Sequence, residues 1–396
     1  MNQQPGSRRN RRTAVATDAA MVTQVRNAVL SESAPVTGAR LAAAVQSTGR
    51  LLGSEGAFHT MDRVRAELQG LGPLQRFAED PSITDILVNG PDAVWVDDGG
   101  GLQRTDLSFP ADADVRALAT RLIAAGGRRL DDGNPCVDVR LDRFRVHAVL
   151  PPLSTHGTLL SIRIQRQRSF TFDELVSAAE LDAPMSAALR GIVHKRLNFL
   201  ISGGTGTGKT TLLGALLSLS GQDERLVTVE DSAELSPVHP HAVGLQGRHG
   251  NLEGSGSVDL AELVRQALRM RPDRLIVGEC RGAEVRELLA AMNTGHHGAG
   301  GTIHANSAAS VPARLCALAA LAGMEAGALA LQAANALDVI IHVVRTHSGR
   351  TVSEIGVLEQ AGGGELTVRT ALRRNGARSE RGPAWEKLAG MLDRGR

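Results

Sequence analysis

Aromatic rings are scarce in this chain: Phe, Trp and Tyr make up 2% of 396 residues, and tyrosine is absent. A platform that grips single-stranded nucleic acid by stacking needs such rings, so that class is excluded. An excess of one charge is missing too. Lys and Arg number 44 against 42 Asp and Glu, a formal charge of +2, which does not mark a nucleic-acid binder. The three cysteines, Cys136, Cys280 and Cys316, lie far apart and form no C-x-x-C pair. They indicate neither a disulfide framework nor a zinc site and suit a reducing compartment. No apolar run reaches 18 residues, and the basic start is not followed by an apolar signal segment. The sequence therefore predicts a cytoplasmic protein that meets membrane only through partners or its surface. Its length predicts two domains plus appendages.

What is present centres on residues 198–211. An apolar run, Phe199 to Ile201, reads as a buried strand and empties into Gly203, Gly204, Gly206 and Gly208, then Lys209 and Thr210. Residues 203–210 satisfy G-x-x-x-x-G-K-[ST] at every fixed position, with Thr205 and Thr207 in the variable places. Such glycines let successive N–H groups turn inward on phosphate oxygens. Lys209 would reach the β- and γ-phosphates, and the Thr210 hydroxyl would ligate Mg²⁺. The run from Thr211 starts a helix whose N-terminal dipole favours the same anion. A Rossmann turn fits less well, because G-x-G-x-x-G is not met and Lys-Thr would have no task there. The stretch predicts a nucleoside-triphosphate site.

In chain order, residues 1–20 are polar with Arg8, Arg9, Arg11 and Arg12 clustered. This reads as a disordered basic tail, with an arm for anionic lipid or nucleic acid as the alternative. Residues 21–75 read as a helical leader. Residues 76–166 read as an α/β domain with hairpin turns at Asn89-Gly90 and 99–101. Its helix follows Asp114, with Val115, Leu118, Ala119, Leu122 and Ile123 on one face. Two strands alternate: Phe144, Val146 and Ala148 oppose Arg143, Arg145 and His147, while Leu160, Ile162 and Ile164 oppose Ser161, Arg163 and Gln165. The basic face this creates is open to two readings, a solvated surface or a functional one. A linker is placed at 167–171, a mostly parallel α/β domain at 172–372, and a charged C-terminal tail at 373–396.

Polar groups stand where further strands of that domain end. Residues 226–229 run into Glu230 and Asp231, with Glu234 beyond, and 274–278 run into Glu279. A P-loop ATPase needs a carboxylate there for Mg²⁺ or the attacking water. Segment 293–304 offers His296, His297 and His304, whose glycine-rich spacing lacks a fixed ligand cluster. A turn placing them near the γ-phosphate or a neighbouring subunit is the stronger reading. Arg269 and Arg271 follow a predicted helix and contact nucleotide or cap its C-terminus.

These motifs together resemble the type II/IV secretion-system ATPases (traffic ATPases), in the Tad/Flp pilus-assembly and conjugation-associated branch. The likeness spans about Leu71 to Val357. Glu230-Asp-Ser-Ala-Glu-Leu235 resembles the family's Asp box, and Arg271-Pro-Asp-Arg-Leu-Ile-Val-Gly-Glu-Cys-Arg-Gly282 its Walker B. Gly295-His-His-Gly298 with Thr302-Ile-His-Ala-Asn-Ser307 is similar to its His box. His297 stands where an acidic residue is common, so only His296 and His304 carry over. Arg145 matches the arginine of the family's G-s-R-v-n stretch and Arg163 that of its I-R motif. The usual Asp-Gly before the first of these reads Asp142-Arg143-Phe144 here.

The resemblance implies a RecA-like P-loop domain with a smaller PAS-like N-terminal domain, ATP and Mg²⁺ as cofactors, and ATP hydrolysis coupled to secretion or pilus assembly. It implies a hexameric ring, peripheral at the cytoplasmic membrane face, working with a polytopic inner-membrane platform protein and without direct nucleic-acid contact. Catalysis falls to Glu230, Glu279, Arg145, Arg163 and His304. Nucleotide binding falls to residues 203–210 with Thr211, His296 and Arg271, and Mg²⁺ to Thr210 and, through water, Glu279. The alternative is a DNA-translocating ATPase of conjugal transfer. A helicase should show basic loops and stacking aromatics, a non-hydrolysing scaffold should lack the carboxylates, and a small-molecule kinase should show a lid.

Overall fold

The computed structural model describes residues 38–47, 70–165, 169–179, 181–248, 256–346 and 349–394. The basic tail expected at 1–20 and most of the expected helical leader lie outside the described residues. The chain divides into two units, Met1–Arg166 and Gln167–Arg396.

In the first unit, helix α1 (Gly38–Ser47) precedes a six-stranded antiparallel sheet. The strands are β1 (Asp85–Asn89), β2 (Val94–Asp97), β3 (Leu102–Arg104), β4 (Cys136–Leu141), β5 (Phe144–Val149) and β6 (Leu159–Ile164), in the order β3-β2-β1-β6-β5-β4. Alternation sends Ile86, Val88, Val146, Ala148, Leu160 and Ile162 to one face, where they are fully buried against α2 (Asp112–Ala125). The helix contributes the predicted stripe Val115, Leu118, Ala119, Leu122 and Ile123. Asp114 acts inside the first turn rather than at the cap, its Oδ2 accepting the Ala111 N–H at 3.1 Å. Leu71 and Leu74 also belong to this core, so the end of the expected leader is part of the domain. Arg143 is not on the basic strand face. It occupies a two-residue turn after Asp142, which has φ 48°, and its guanidinium donates to the Ala78 carbonyl.

The second unit is a nine-stranded sheet of order β15-β14-β13-β12-β7-β11-β10-β8-β9. Strands β7 (Phe199–Gly203), β8 (Leu226–Glu230), β9 (Ala242–Gln246), β10 (Arg274–Cys280), β11 (Gly300–His304) and β12 (Val339–Thr346) run parallel. β13 (Gly349–Gln360), β14 (Leu366–Asn375) and β15 (Arg378–Arg381) add an antiparallel extension. All five residues of β7 and of β8 are buried, as expected of strands covered on both faces. Phe199 and Ile201 point to one apolar layer and Leu200 to the other. The first layer receives α3 (Phe172–Ala178), α4 (Ala183–His194) and α5 (Lys209–Leu217). The second receives α6 (Leu260–Ala267), α7 (Glu284–Asn293), α8 (Val311–Leu321) and α9 (Ala326–Ala336). The Thr171 hydroxyl, placed in the expected linker, caps α3 by accepting the Glu174 N–H. Among the described residues, no helix is long and apolar enough to cross a membrane.

The charged tail expected from residue 373 is replaced by structure. Residues there finish β14, form β15, and end in α10 (Trp385–Arg394). Arginine density suggested a solvated segment, but the apolar residues decide the outcome. Leu388 is completely buried in the first apolar layer, with Ala384 beside it and Leu392 over Gly191. Leu388→Ala should therefore cost about 2–5 kcal/mol, read as a lower urea midpoint, where a tail residue would cost about 0.5 or less. An unchanged midpoint would mean that this helix contributes nothing to the core.

Candidate active site

The parallel strands deliver their carboxyl ends to one edge of the large sheet. Register pairs His304 with Gly203, and Ile276 and Val277 with Thr228 and Val229. The loop after β7 and the ends of β8, β10 and β11 thus meet there. Gly208, at the loop's exit, has φ 91°, a conformation open to glycine at little cost. Helix α5 begins at the next residue without a side-chain cap, leaving its first amides available to an anion.

Lys209 is buried against the loop it follows. Its Nζ donates to the carbonyls of Gly203 at 3.1 Å and Gly204 at 2.9 Å, and lies 3.4 Å from His304 Nε2. Burial pushes its pKa below that of an ordinary lysine, partly opposed by Glu279. The Thr207 hydroxyl donates to the Gly204 carbonyl, Thr205 and Thr211 are exposed, and Thr210 is half-buried at the helix start.

The two strand-end glutamates differ. Glu230 is buried, and its Oε1 accepts the N–H groups of Glu234 and Leu235, both at 3.0 Å. It holds the turn beyond β8. Its side chain also lies directly on Gly278: a Cβ there would sit 2.6 Å from Glu230 Cγ. The glycine before Glu279 is what lets these two strand ends approach. Glu279 Oε2 accepts from Arg281 Nη2 at 2.5 Å. Its Oε1 is buried and makes no hydrogen bond, although His304 Nε2 lies 2.8 Å away. Burial pushes the His304 pKa down, Glu279 pulls it up, and Lys209, Arg281 and Arg314 push it down further.

An uncapped helix start, a buried lysine held by two loop carbonyls, and a carboxylate oxygen without a hydrogen bond fit a nucleoside triphosphate. Among the described residues, no group of 3 or more His, Cys, Asp or Glu side chains could hold a metal ion. Thr210 and Glu279, the residues expected to hold Mg²⁺, stand at the start of α5 and the end of β10, where a nucleotide-bound ion that takes most of its ligands from phosphate and water would find them.

His296 and Arg271 do not join this cluster within the chain. Both precede the strands whose far ends form the site, His296 before β11 and Arg271 before β10. At about 3.3 Å per residue, strand length alone separates them from it by roughly 15–20 Å. His296 instead binds the Ala291 carbonyl with its N–H and ring, and Arg271 is exposed with φ 54°. Arg145 and Arg163 stand side by side in the other unit's sheet. Arg145 pairs with Asp138 at 3.1 Å and Arg163 with Asp85 at 3.1 Å.

Three participants were missed in the sequence. Arg281 was within reach, two residues after Glu279. Arg350, on β13, donates from Nε to the Gly206 carbonyl at 2.8 Å, and no local pattern announces it. His342, on β12, lies buried with Nδ1 2.9 Å from the Ser202 hydroxyl, just ahead of the loop.

The type II/IV secretion system protein family model matches residues 67–377. A Mycobacterium tuberculosis protein named "Putative conjugal transfer protein" is 50% identical over 321 residues, covering 79% of this chain and 91% of that one. The conjugal transfer protein TrbB of Rhizobium radiobacter is 32% identical, covering 70% of this chain and 84% of its own. Two solved structures share the fold. The Legionella pneumophila ATPase DotB has TM-score 0.51 and 22% identity, covering 72% of this chain and 79% of that one. The pilus retraction motor PilT, solved with ADP, has TM-score 0.51 and 20% identity, covering 81% and 87%. The fold is that of a RecA-like ATPase with an additional N-terminal domain. The chain belongs to the type II/IV secretion system protein family.

The buried His342 also makes a stability prediction. Burial lowers its pKa from 6.5, opposed by Glu354 and by a hydrogen bond to the Asn306 backbone. The unfolded chain then binds more protons just below pH 6.5, so stability should fall as the pH drops through that value. Thermal melts from about pH 7.5 to about pH 5.5 should show this loss, and His342→Gln should reduce it. A variant with the same slope as the parent would assign the loss to other groups.

Proposed function

We propose that the protein is an ATP-hydrolysing motor of a secretion or conjugation machine, with turnover at the edge formed by Gly203, Lys209, Glu279 and His304. The observation that carries this reading is the convergence of Lys209, His304 and Glu279 on the phosphate loop, His304 Nε2 lying 3.4 Å from the lysine and 2.8 Å from the glutamate. Residues 203–210 cradle the phosphates. Lys209 exchanges its carbonyl partners for phosphate oxygens, a stronger, charge-assisted contact. The Thr210 hydroxyl, with Glu279 through water, would hold Mg²⁺, which would supply neutralisation of the phosphate charge. Glu279 orients the attacking water, steadied by Arg281, while neutral His304 lines the γ-phosphate side. Glu230 serves by holding the strand ends together.

Arg145 and Arg163 serve by neutralising the charge that develops on the transferred phosphoryl group. The working form is a hexameric ring at the cytoplasmic membrane face, coupled to a polytopic membrane partner. The names of the relatives favour conjugal transfer as the process served. The low aromatic content favours action on the transfer machinery over a direct grip on DNA.

Glu279→Gln should bind ATP with near-parental affinity and release phosphate more slowly by about 10²–10⁴-fold, the usual contribution of a general base. Parental release would remove this carboxylate from catalysis. Separately, Arg145→Ala and Arg163→Ala should each lower kcat at saturating ATP by about 10³-fold or more. Parental kcat in both would leave the arginines as a solvated, acid-paired face.

A further inference from the structure

Strand β10 changes phase near its carboxyl end. Leu275 and Val277 point into the second apolar layer and Ile276 into the first. Strict alternation would continue with Gly278 toward the first layer, Glu279 toward the second and Cys280 toward the first. Cys280 is instead fully buried in the second layer. Strand pairing gives the cause. Val277 stands opposite Gly301 and Cys280 opposite Ile303, so Gly278 and Glu279 together face the single residue Thr302. This is a β-bulge, a feature rare between parallel strands and concentrated next to active sites, where it re-aims a side chain.

One extra residue exchanges the two faces of everything beyond it. Without the bulge, Glu279 would point into the apolar layer of α6 and α7. With it, the carboxylate emerges on the side of the first layer, which carries α5 and therefore Lys209. His304 follows the second-layer Ile303 on β11 and so shares that side, with Nε2 2.8 Å from Glu279 Oε1. A bulge also interrupts the ladder, and buried backbone groups there need other partners. Thr302 is 1% exposed, and its hydroxyl donates to the Gly278 carbonyl at 2.6 Å. Beyond the bulge, the buried Glu284 carboxylate accepts the N–H groups of Arg281 at 2.5 Å and Gly282 at 2.7 Å, fixing the chain as it leaves.

We propose that Thr302 is a positioning residue for hydrolysis, whose hydroxyl pins the bulge that turns Glu279 from the apolar layer to the phosphate side. The proposal rests on the reading of Glu279 as the group that orients the attacking water. The Gly278 carbonyl lies in the same rigid peptide plane as the Glu279 nitrogen, so its direction sets how the glutamate leaves the strand. Glycine restrains that plane little, and the threonine hydroxyl supplies the restraint. A buried threonine that only satisfied its own hydroxyl would affect stability and leave turnover per folded molecule alone.

The test is phosphate release by the full-length protein at saturating ATP and Mg²⁺, with calorimetric ATP titration and a thermal melt for each variant. Thr302→Val keeps the shape and removes the donor. It should lower kcat by about 10–100-fold, the scale of a misplaced catalytic group, and leave ATP affinity within about threefold of the parent. Thr302→Ser restores the donor and should recover most of the lost rate. Should the valine variant not fold, Thr302→Cys, a weak donor of nearly the same volume, should show the same loss. In a Glu279→Gln background, Thr302→Val should slow release further by less than about twofold, because the two residues act through one group. Parental kcat in Thr302→Val or its cysteine substitute would overturn the proposal. Equal slowing by Thr302→Val in both backgrounds would also overturn it, since the threonine would then act independently of the carboxylate. Failure of the underlying reading looks different: parental release by Glu279→Gln alone removes that carboxylate from catalysis, and the role of Thr302 falls with it.

Discussion

Parallel alignment of β7, β8, β10 and β11 is the constraint on which the candidate site depends. Parallel neighbours in matched register end together, so Gly203, Glu230, Glu279 and His304 arrive at one edge of one sheet. The residues come from segments separated by long helical crossovers, and nothing short of the sheet assembles them. The alignment has a packing condition at Gly278, where any side chain would meet Glu230. The same geometry sends whatever precedes these strands to the opposite edge, which is where Arg271 and His296 stand.

Burial then sets the chemistry. Lys209, Glu279, Arg281 and His304 share a partly dehydrated space, where a charge is tolerated only if others compensate for it. The lysine is satisfied by carbonyls, the glutamate by an arginine on one oxygen, and the imidazole by staying neutral. A triphosphate would replace the carbonyls with charged oxygens and give the cluster the anion its cations lack. The motor reading is thus attached to an electrostatic imbalance at the loop as well as to a motif.

The N-terminal unit presents a different balance. Its sheet buries one face under α2 and leaves a row of Arg140, Arg145, Arg163, Asp85 and Asp97 in cross-strand register on the other. The acid partners keep the arginines ordered without burying them. Arginines held in this way can exchange carboxylate for phosphate at modest cost, since both are read by the same planar fork. That is the physical basis for proposing that Arg145 and Arg163 bind phosphate.

Much of this was legible in the chain. The phosphate loop is contiguous, so its eight positions declare themselves without tertiary help. Alternation in β5 and β6 and the helical stripe from Val115 are local periodicities, and they survive folding because each element buries a single face. The strand-end glutamates could be listed but not separated. Only the turn beyond β8 decided that Glu230 is spent on the amides of Glu234 and Leu235 while Glu279 keeps an oxygen unbonded. Arg350 and His342 were invisible, since β12 and β13 reach the loop by sheet order across more than a hundred residues. The C-terminal segment was misread because charge density is a property of composition, whereas the burial of Leu388 is decided by the surface it meets. Sequence alone determined the loop, the element types and the residues able to do chemistry. Tertiary structure decided which of them share an edge, because the direction and order of parallel strands are set by long-range pairing that no local pattern encodes.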